Sequence, residues 1–227
     1  MKALEVLKLE IVVCRKCPRL VEFREHIAQV KRRAFRECEY WGKPVPGFGD
    51  PKARVLLVGL APGAHGANRT GRVFTGDRSG EFLYKVMYDT GFASQPTSTS
   101  REDGLKLFDA YISAAVRCVP PDNKPLPEEI RNCRPYLERE LGLLRHVRVV
   151  IALGRLAFDA YLTVLRDTGL ISRRSEFSFG HNLEHRTGEG QPLLISSYHP
   201  SQQNTSTGKL TEEMLRKVFL RARSRLL

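Results

Sequence analysis

The chain has no run of apolar residues long enough to span a membrane. Residues 1–10 also lack the apolar region of a signal peptide. We find no internal repeat and no low-complexity segment. These absences exclude a membrane-spanning protein, and we expect a cytoplasmic one. The length of 227 residues favours one domain with a large core, although two small domains would also fit.

Acidic residues are scarce relative to basic ones. The chain has 25 Asp and Glu against 37 Lys and Arg, a formal net charge of +12, and its isoelectric point is near 9.8. Such an excess of positive charge favours a polyanionic partner, most simply nucleic acid. The alternative is a basic, well-solvated surface without such a partner, and charge alone does not decide between them.

Disulfide bonds are not expected, because the chain has no export signal. Its five cysteines instead favour metal binding or catalysis. Cys14 and Cys17 form a CxxC pair, and Cys118 and Cys133 form a wider pair beside a proline-rich turn. Four thiolates from two distant segments suit zinc or an iron–sulfur cluster, and the wide spacing leaves the metal open. The alternative is four unrelated buried cysteines. Cys38 is expected to be a free thiol.

Short apolar segments alternate with amphipathic ones along the chain. Buried parallel strands are predicted at residues 55–58, 110–116, 147–153 and 192–197. Helices are predicted at residues 3–13, 20–35, 81–90, 127–145, 156–165 and 211–227, with a kink or break at Pro135. Residues 171–191 are expected to be irregular or to form a β-excursion. This alternation predicts an α/β fold with a parallel sheet covered on both faces.

A glycine-rich loop, residues 59–80, follows the first predicted strand, where open α/β sheets bind their ligands. The loop lacks the Gly-Lys-Ser/Thr sequence of a Walker A motif and the spacing of the dinucleotide fingerprint. Its backbone amides, Arg69 and Arg72 could instead hold a DNA phosphate. Phe74 lies among glycines and polar residues, so it could stack on a base, although phenylalanine is ordinarily a core residue.

Asp77 lies where this loop meets the next predicted helix. It could simply cap that helix. The reciprocal capping box is absent, because neither Glu nor Gln follows three residues later. The other interpretation is a carboxylate that faces a reaction centre, and the sequence supports the two equally.

A second polar segment follows the fourth predicted strand and begins at His199. Because parallel strands end at a shared edge of the sheet, this segment should lie near the glycine-rich loop. His199 could donate a hydrogen bond to a developing oxyanion. Ser201, Gln202 and Asn204 could contact phosphates or groove edges. His65 on the first loop is a weaker candidate. A lone histidine is more often structural, but two polar loops at one sheet edge favour function.

Three motifs and four cysteines together resemble the uracil-DNA glycosylase superfamily. The motifs are Gly59-Leu60-Ala61-Pro62-Gly63, Arg69-Thr70-Gly71-Arg72-Val73-Phe74-Thr75-Gly76 and His199-Pro200-Ser201. The chain is most similar to the family 5 enzymes, which are related to the iron–sulfur family 4. The matching pieces are spread over most of the chain, so the resemblance implies one glycosylase-like domain over residues 1–227.

The resemblance implies a three-layer α/β/α sandwich around a central four-stranded parallel sheet. It also implies a [4Fe–4S] cluster on Cys14, Cys17, Cys118 and Cys133. We interpret that cluster as structural, since it would tie the N-terminal segment to the excursion between the second pair of cysteines.

The resemblance further implies that a uracil flipped out of DNA enters a pocket at the sheet edge. There Phe74 would stack on the base and Gly63 would bind it. His199 would lie near the uracil carbonyl that gains charge and would stabilise the departing base. As a separate hypothesis of mechanism, we expect Asp77 to orient water or to stabilise the cationic sugar. The partner would be damaged DNA, double- or single-stranded, bound by a monomer.

Two positions depart from related families. Leu60 stands where other families carry an acidic or amide residue, and Ala114 stands where family 4 has an asparagine. The loss of these acidic and amide side chains is expected to make recognition of uracil less strict and to admit other deaminated bases, including hypoxanthine and xanthine. Asn123 is the replacement candidate for contacting the base edge.

The alternative function is a non-catalytic, metal-stapled DNA-binding protein. It would share the basic charge and the cysteines, but it would not need Phe74, Asp77 and His199 to converge. A nucleotide-hydrolysing enzyme is disfavoured by the missing phosphate-loop lysine. The position of these three side chains relative to one pocket therefore separates the hypotheses.

Overall fold

A six-stranded sheet forms the centre of the computed structural model, which describes residues 2–226. The strands follow the order β1-β3-β2-β4-β6-β5 across the sheet. Their bounds are β1 Phe48–Gly49, β2 Val55–Gly59, β3 Ala110–Ala114, β4 Val149–Leu153, β5 Leu183–Arg186 and β6 Leu193–Ser197.

The four inner strands are parallel, and the two outer strands are antiparallel to their neighbours. The inner strands are the four that the apolar segments predict. The expected four-stranded sheet is nevertheless wrong in its strand number, because β1 and β5 extend it at both edges. Of the two expectations for residues 171–191, the β-excursion holds at Leu183–Arg186. Both outer strands are only partly buried, so they lack the continuous apolar run by which buried strands are recognised.

Eight helices lie within residues 2–226. They are α1 Ala3–Val12, α2 Pro18–Val30, α3 Ala67–Thr70, α4 Arg78–Asp89, α5 Pro127–Leu143, α6 Arg155–Asp167, α7 Gln202–Ser206 and α8 Glu212–Ser224. α2 ends earlier than expected, and α5 continues through Pro135, so the expected break does not occur. The predicted last helix reached Leu227, which lies outside the described residues.

Helices cover both faces of the sheet. Val55 and Leu57 of β2 pack on one side with residues of α4 and α8, such as Leu83 and Phe219. Leu56 and Val58 point to the opposite side, where α5 and α6 pack. Successive side chains of a strand point to opposite faces, so an uninterrupted apolar strand feeds two hydrophobic cores. The molecule therefore has the expected three layers.

The parallel strands bring two loops to one edge of the sheet. β2 ends at Gly59 and continues into residues 60–77, while β6 ends at Ser197 and continues towards α7. β2 and β6 both pair with β4 in the same direction, so their carboxyl ends lie side by side across that strand. This edge holds the cavity described below.

None of the helices within residues 2–226 is both long enough and apolar enough to cross a lipid bilayer.

Candidate active site

A cavity of about 880 Å³ opens at the carboxyl edge of the sheet. We call it the pocket, and residues 59–80, which form much of its wall, the pocket loop. Its walls also include Ala114, Asp122, Asn123, His199, Ser201, Gln202 and Gln203. A space of this size lies within the usual range for small-molecule sites and can hold a nucleobase with part of its sugar. Two segments far apart in sequence thus meet in one pocket, as the resemblance implies.

Phe74 and His199 lie next to each other in the pocket. Their ring centroids are 5.7 Å apart, and the ring planes are inclined by 32°. Phe74 has a left-handed backbone with φ of 50°, which is uncommon for a residue other than glycine. A Cβ atom on Gly59 would come within 2.9 Å of the Phe74 ring, and one on Gly80 would collide with the Phe74 carbonyl. The two glycines therefore let the ring and its backbone lie close against β2 and α4.

His199 is held at its backbone rather than at its ring. The Asn204 side-chain amide donates to the His199 carbonyl at 2.9 Å, and the β4–α6 turn at Gly154 packs against the His199 Cβ. The ring is half-buried and faces the pocket. Burial lowers the pKa of His199 to about 4, because the charged imidazolium loses hydration. At neutral pH the ring is a neutral hydrogen-bond donor and acceptor.

Asp77 forms the helix cap that was one of its two interpretations. One carboxylate oxygen, Oδ1, accepts the Gly80 amide at 3.0 Å, so Asp77 caps α4. The other, Oδ2, faces Gly63 and Gly66, where added Cβ atoms would crowd it. Burial raises the pKa of Asp77 above its usual value, and the amides of Gly80 and Ser79 partly oppose that effect. The cap orients the carboxylate, and Asp77 is among the residues that line the pocket. Its role at a reaction centre stays a prediction.

Arg72 does not have the expected access to DNA. It is 3% exposed, and its terminal nitrogens donate to both Asp103 oxygens at 2.9 and 2.6 Å. It also bonds Ser98 and Thr75. The phosphate-binding expectation for Arg72 is therefore wrong: the side chain anchors the pocket loop to the segment around residue 100.

Arg69 also makes internal contacts. It donates to the carbonyls of His65 and Gly76 at 2.7 and 2.8 Å, and its guanidinium lies 4.0 Å from the centre of the Phe35 ring. The residue is half-buried rather than buried. It braces the pocket loop, and its contact with DNA stays a prediction.

The remaining predicted residues lie at or just behind the rim of the pocket. Gln202 and Asn123 are exposed there, and Ser201 both lines the pocket and caps α7 by accepting the Asn204 amide. The Asn204 side chain bonds the His199 carbonyl, and Asn204 is not among the lining residues. Asn204 thus makes a positioning contact, and the DNA or base contacts of all four residues stay predictions.

Two basic pocket residues were missed from sequence. Arg32 and Arg78 line the pocket and carry positive charge at its edge. His65, the weaker candidate on the first loop, also lines it, and its Nδ1 lies 3.0 Å from the Tyr40 hydroxyl. Burial, with Arg32 and Arg69 nearby, lowers the pKa of His65. No pattern in the sequence marks the contact between residues 40 and 65.

The four predicted metal ligands share a second, small cavity of about 10 Å³. Cys14, Cys17, Cys118 and Cys133 all line it, and Cys38 does not. Within residues 2–226, no three His, Cys, Asp or Glu side chains converge closely enough for one metal ion. We call this the cysteine cavity. Distant segments thus bring all four cysteines to one cavity, and a metal held there stays a prediction.

Two buried arginines adjoin the cysteine cavity. The Arg24 Nη1 lies 3.1 Å from the Cys118 sulfur, and Arg117 lines the cavity. The Nε atoms of both arginines are buried without a partner among the described residues. Burial raises the pKa of Cys118 to about 11 and that of Cys133 to about 12. The charge of Arg117 is already paired with the buried Glu140 carboxylate. Four sulfurs beside buried Arg24, which has an unused Nε donor, fit a negatively charged metal–thiolate group.

Comparison with known proteins agrees with this geometry. The family model described as the uracil DNA glycosylase superfamily matches residues 46–223. The chain is 53% identical over 213 residues to the type-5 uracil-DNA glycosylase of Thermus thermophilus, covering 94% of each chain. It is 43% identical over 212 residues to the type-5 enzyme of Pyrobaculum aerophilum, covering 93% of this chain and 88% of that relative. A type-4 uracil-DNA glycosylase of Sulfurisphaera tokodaii is less similar, at 26% over 221 residues. With the motifs of its pocket loop and its full-length similarity to these proteins, the chain belongs to the uracil DNA glycosylase superfamily.

Proposed function

We propose that the protein is a DNA-repair glycosylase that hydrolyses the N-glycosidic bond of uracil in DNA and leaves an abasic site. One observation carries the proposal: Phe74, Asp77 and His199 all line a single pocket that can hold a nucleobase with part of its sugar. The alternative, a non-catalytic DNA-binding protein, has no use for a buried carboxylate and a neutral histidine at one aromatic wall. The type-5 relatives named above support the same activity.

Base extrusion comes first, because a duplex hides the glycosidic bond. Flipping costs roughly a few kcal/mol, and basic side chains at the rim can offset that cost through phosphate contacts. Arg32 and Arg78 lie at the pocket and take the role first expected of Arg72. Stacking on Phe74 then holds the base. Because Gly63 has no side chain, the base can lie close to the backbone of the pocket wall at that residue.

Cleavage separates charge: the sugar becomes cationic and the leaving base anionic. His199 stabilises the anionic base by donating an N–H to its carbonyl oxygen, as an oxyanion-hole donor does. Because burial keeps the His199 pKa low, the ring donates a hydrogen bond without delivering a proton. The free oxygen of Asp77 orients the attacking water or stabilises the cationic sugar. Water then adds at the sugar carbon and loses one proton, by way of Asp77 or solvent, to the anionic base, which completes hydrolysis.

The range of bases is a further part of the proposal. Leu60 and Ala114 line the pocket with apolar side chains, where other families place polar groups. A wall without fixed hydrogen-bonding groups discriminates weakly among bases. We therefore expect hypoxanthine and xanthine to be substrates as well, with Asn123 contacting the base edge from the rim.

A [4Fe–4S] cluster is proposed at Cys14, Cys17, Cys118 and Cys133. Their shared cavity and the contact between buried Arg24 and the Cys118 sulfur support it. When bound, the cluster supplies iron–thiolate bonds that cross-link the α1–α2 turn to the segment before and within α5. We assign it a structural role and route no step of the reaction through it.

The proposal extends to the whole chain. We propose that residues 1–227 form one glycosylase domain that acts as a monomer on double- or single-stranded damaged DNA. The family match over residues 46–223 and a cysteine cavity shared by the N-terminal and central segments support it.

The decisive experiment uses a duplex with one uracil in a labelled strand. Incubation with the protein followed by alkali should cleave the strand at that position, and a thymine-containing duplex should stay intact. Parallel duplexes with hypoxanthine and xanthine test the base range. Failure to produce abasic sites from uracil would remove the function. Iron and sulfide are measured in anaerobically purified protein, and zinc in their place would contradict the cluster.

A further inference from the structure

Arg24 is buried to the same extent as a core residue, although it carries a charge. It lies in α2 and is 2% exposed. Its Nη1 contacts the Cys118 sulfur at 3.1 Å and the Cys14 carbonyl at 3.3 Å. Its nearest carboxylate oxygen, on Glu25, is 3.6 Å from Nη2. Its closest side-chain contact is thus with a predicted cluster ligand rather than with an ordinary ion-pair partner.

The backbone of the same residue holds the pocket loop. The Arg24 carbonyl accepts the side-chain amide of Asn68 at 3.2 Å. Asn68 is fully buried in α3, and burying an amide is costly unless it is hydrogen-bonded. Among the described residues, the Arg24 carbonyl is the acceptor that the Asn68 amide reaches.

Asn68 in turn connects to the wall behind the catalytic carboxylate. Its backbone amide donates to the Gly63 carbonyl at 3.0 Å. A Cβ on Gly63 would lie 2.9 Å from the Asp77 Oδ2, so any shift of Gly63 changes the surroundings of that oxygen. Close contacts therefore run from Cys118 through Arg24, Asn68 and Gly63 to Asp77.

We propose that Arg24 and Asn68 are positioning residues that connect the cysteine cavity to the pocket loop and set the placement of Asp77. The inference rests on the proposed glycosylase function and deepens it. It explains how the cysteine cavity would affect the reaction. A group bound in the cavity immobilises Arg24, and Arg24 in turn immobilises the pocket loop through Asn68.

The test is a double-mutant cycle with Arg24→Met, Asn68→Ala and the double variant. The readouts are the single-turnover rate on uracil-containing duplex, the dissociation constant for that duplex and the rate at which a chelator removes iron. Loss of one buried hydrogen bond predicts about a ten-fold slower single turnover for Asn68→Ala, with the dissociation constant unchanged. Arg24→Met should be similarly slow and should lose iron faster, and Arg24→Lys should recover part of both.

Coupling is the discriminating result. If the two residues form one connection, the double variant is within about three-fold of the slower single variant, because partners in one network are not additive. The matched control is Arg19→Met, also on α2, which breaks a pair with Glu129 but does not contact the pocket loop. The fold-decreases in single-turnover rate caused by Arg19→Met and by Asn68→Ala should multiply in the double variant.

Two outcomes overturn the inference while leaving the glycosylase intact: multiplying rate losses for Arg24→Met and Asn68→Ala, or a wild-type rate for Asn68→Ala. If Arg24→Met does not fold, the cycle is run with Arg24→Lys. A wild-type protein that makes no abasic sites would instead refute the proposed function itself, and the inference with it.

Discussion

The two oxygens of Asp77 have different surroundings, and the roles proposed for them can be distinguished by a single substitution. Asp77→Asn retains an oxygen that can accept the Gly80 amide but removes the negative charge in the pocket. We expect single-turnover excision to fall about 10²-fold or more with little change in the free energy of unfolding. Asp77→Ala should lose the same activity and also about 1 kcal/mol of stability, because the cap is gone. Full activity in Asp77→Asn would remove the carboxylate from the mechanism.

His199 is expected to act on the leaving base rather than on DNA binding. His199→Ala should slow single-turnover excision about 10²–10³-fold, while affinity for duplex carrying an abasic site stays near that of wild type. The matched control is His146→Ala, because His146 is exposed and lies outside the pocket. Comparable losses for both variants would mean that the effect is not specific to the pocket.

The pH dependence follows from the same two residues. With its pKa lowered to about 4, His199 stays neutral from pH 5 to 8, so no inflection near its ordinary value of 6.5 is expected in the rate. The rate should fall in acid as Asp77 becomes protonated, at a pH above its ordinary pKa of 3.8. Asp77→Asn should abolish this acid limb.

His199 also affects stability in acid. As the pH falls from 6.5 towards 4, the unfolded histidine takes up a proton but the folded one does not, so the protein loses stability over that window. Denaturant unfolding of wild type and His199→Gln at several pH values measures this, and the variant should show the weaker dependence. Equal dependence in the two proteins would contradict the burial effect.

At the scale of elements, the pocket loop is shaped by close packing against its neighbours. Gly80, in the first turn of α4, lies against the Phe74 carbonyl, where a side chain would collide. Gly59, at the end of β2, lies against the Phe74 ring. Arg72 and Asp103 fix the loop from the other side through a buried ion pair. The surrounding elements thus hold Phe74 in its unusual backbone conformation. Strained residues of this kind are found mainly at functional sites, where the surrounding structure fixes them.

Gly80 tests this packing. A methyl group at this position collides with the Phe74 carbonyl, so Gly80→Ala should shift the loop, destabilise the protein by about 1–3 kcal/mol and slow excision. The matched control is Gly142→Ala in α5, where an added Cβ meets nothing within 4 Å. The control should gain up to about 1 kcal/mol from helix propensity and keep full activity. An active, stable Gly80→Ala protein would show that the loop tolerates displacement.

For the whole molecule, the net charge of +12 makes DNA affinity depend on salt. Each phosphate contact contributes a slope of about −0.9 to log affinity against log salt, so about four contacts weaken binding roughly 150-fold between 50 and 200 mM. Titration of labelled duplex at several salt concentrations measures the slope. Arg78→Ala should reduce it by about one unit. A slope near zero would contradict phosphate binding by the basic surface.

Much of this protein follows from local patterns in its sequence. The four inner strands were predictable, because short and mostly apolar segments flanked by glycine, proline and polar residues are typical of strands buried in a covered sheet. The order of strands and helices then requires two loops at one edge. Phe74, Asp77 and His199 were identified from motifs within those loops, and the cysteines from their spacing and resemblance.

Only the tertiary structure decided which groups meet across long sequence separations. Arg72 and Arg69 look alike as loop arginines, yet the first is buried against Asp103 and the second is half-buried beside Phe35. Asn204 braces His199, and Arg24 reaches both Cys118 and Asn68. The physical reason is that periodicity and spacing encode how a segment folds on itself. The partner of a polar side chain depends on which distant surfaces pack against it, and no local pattern records that.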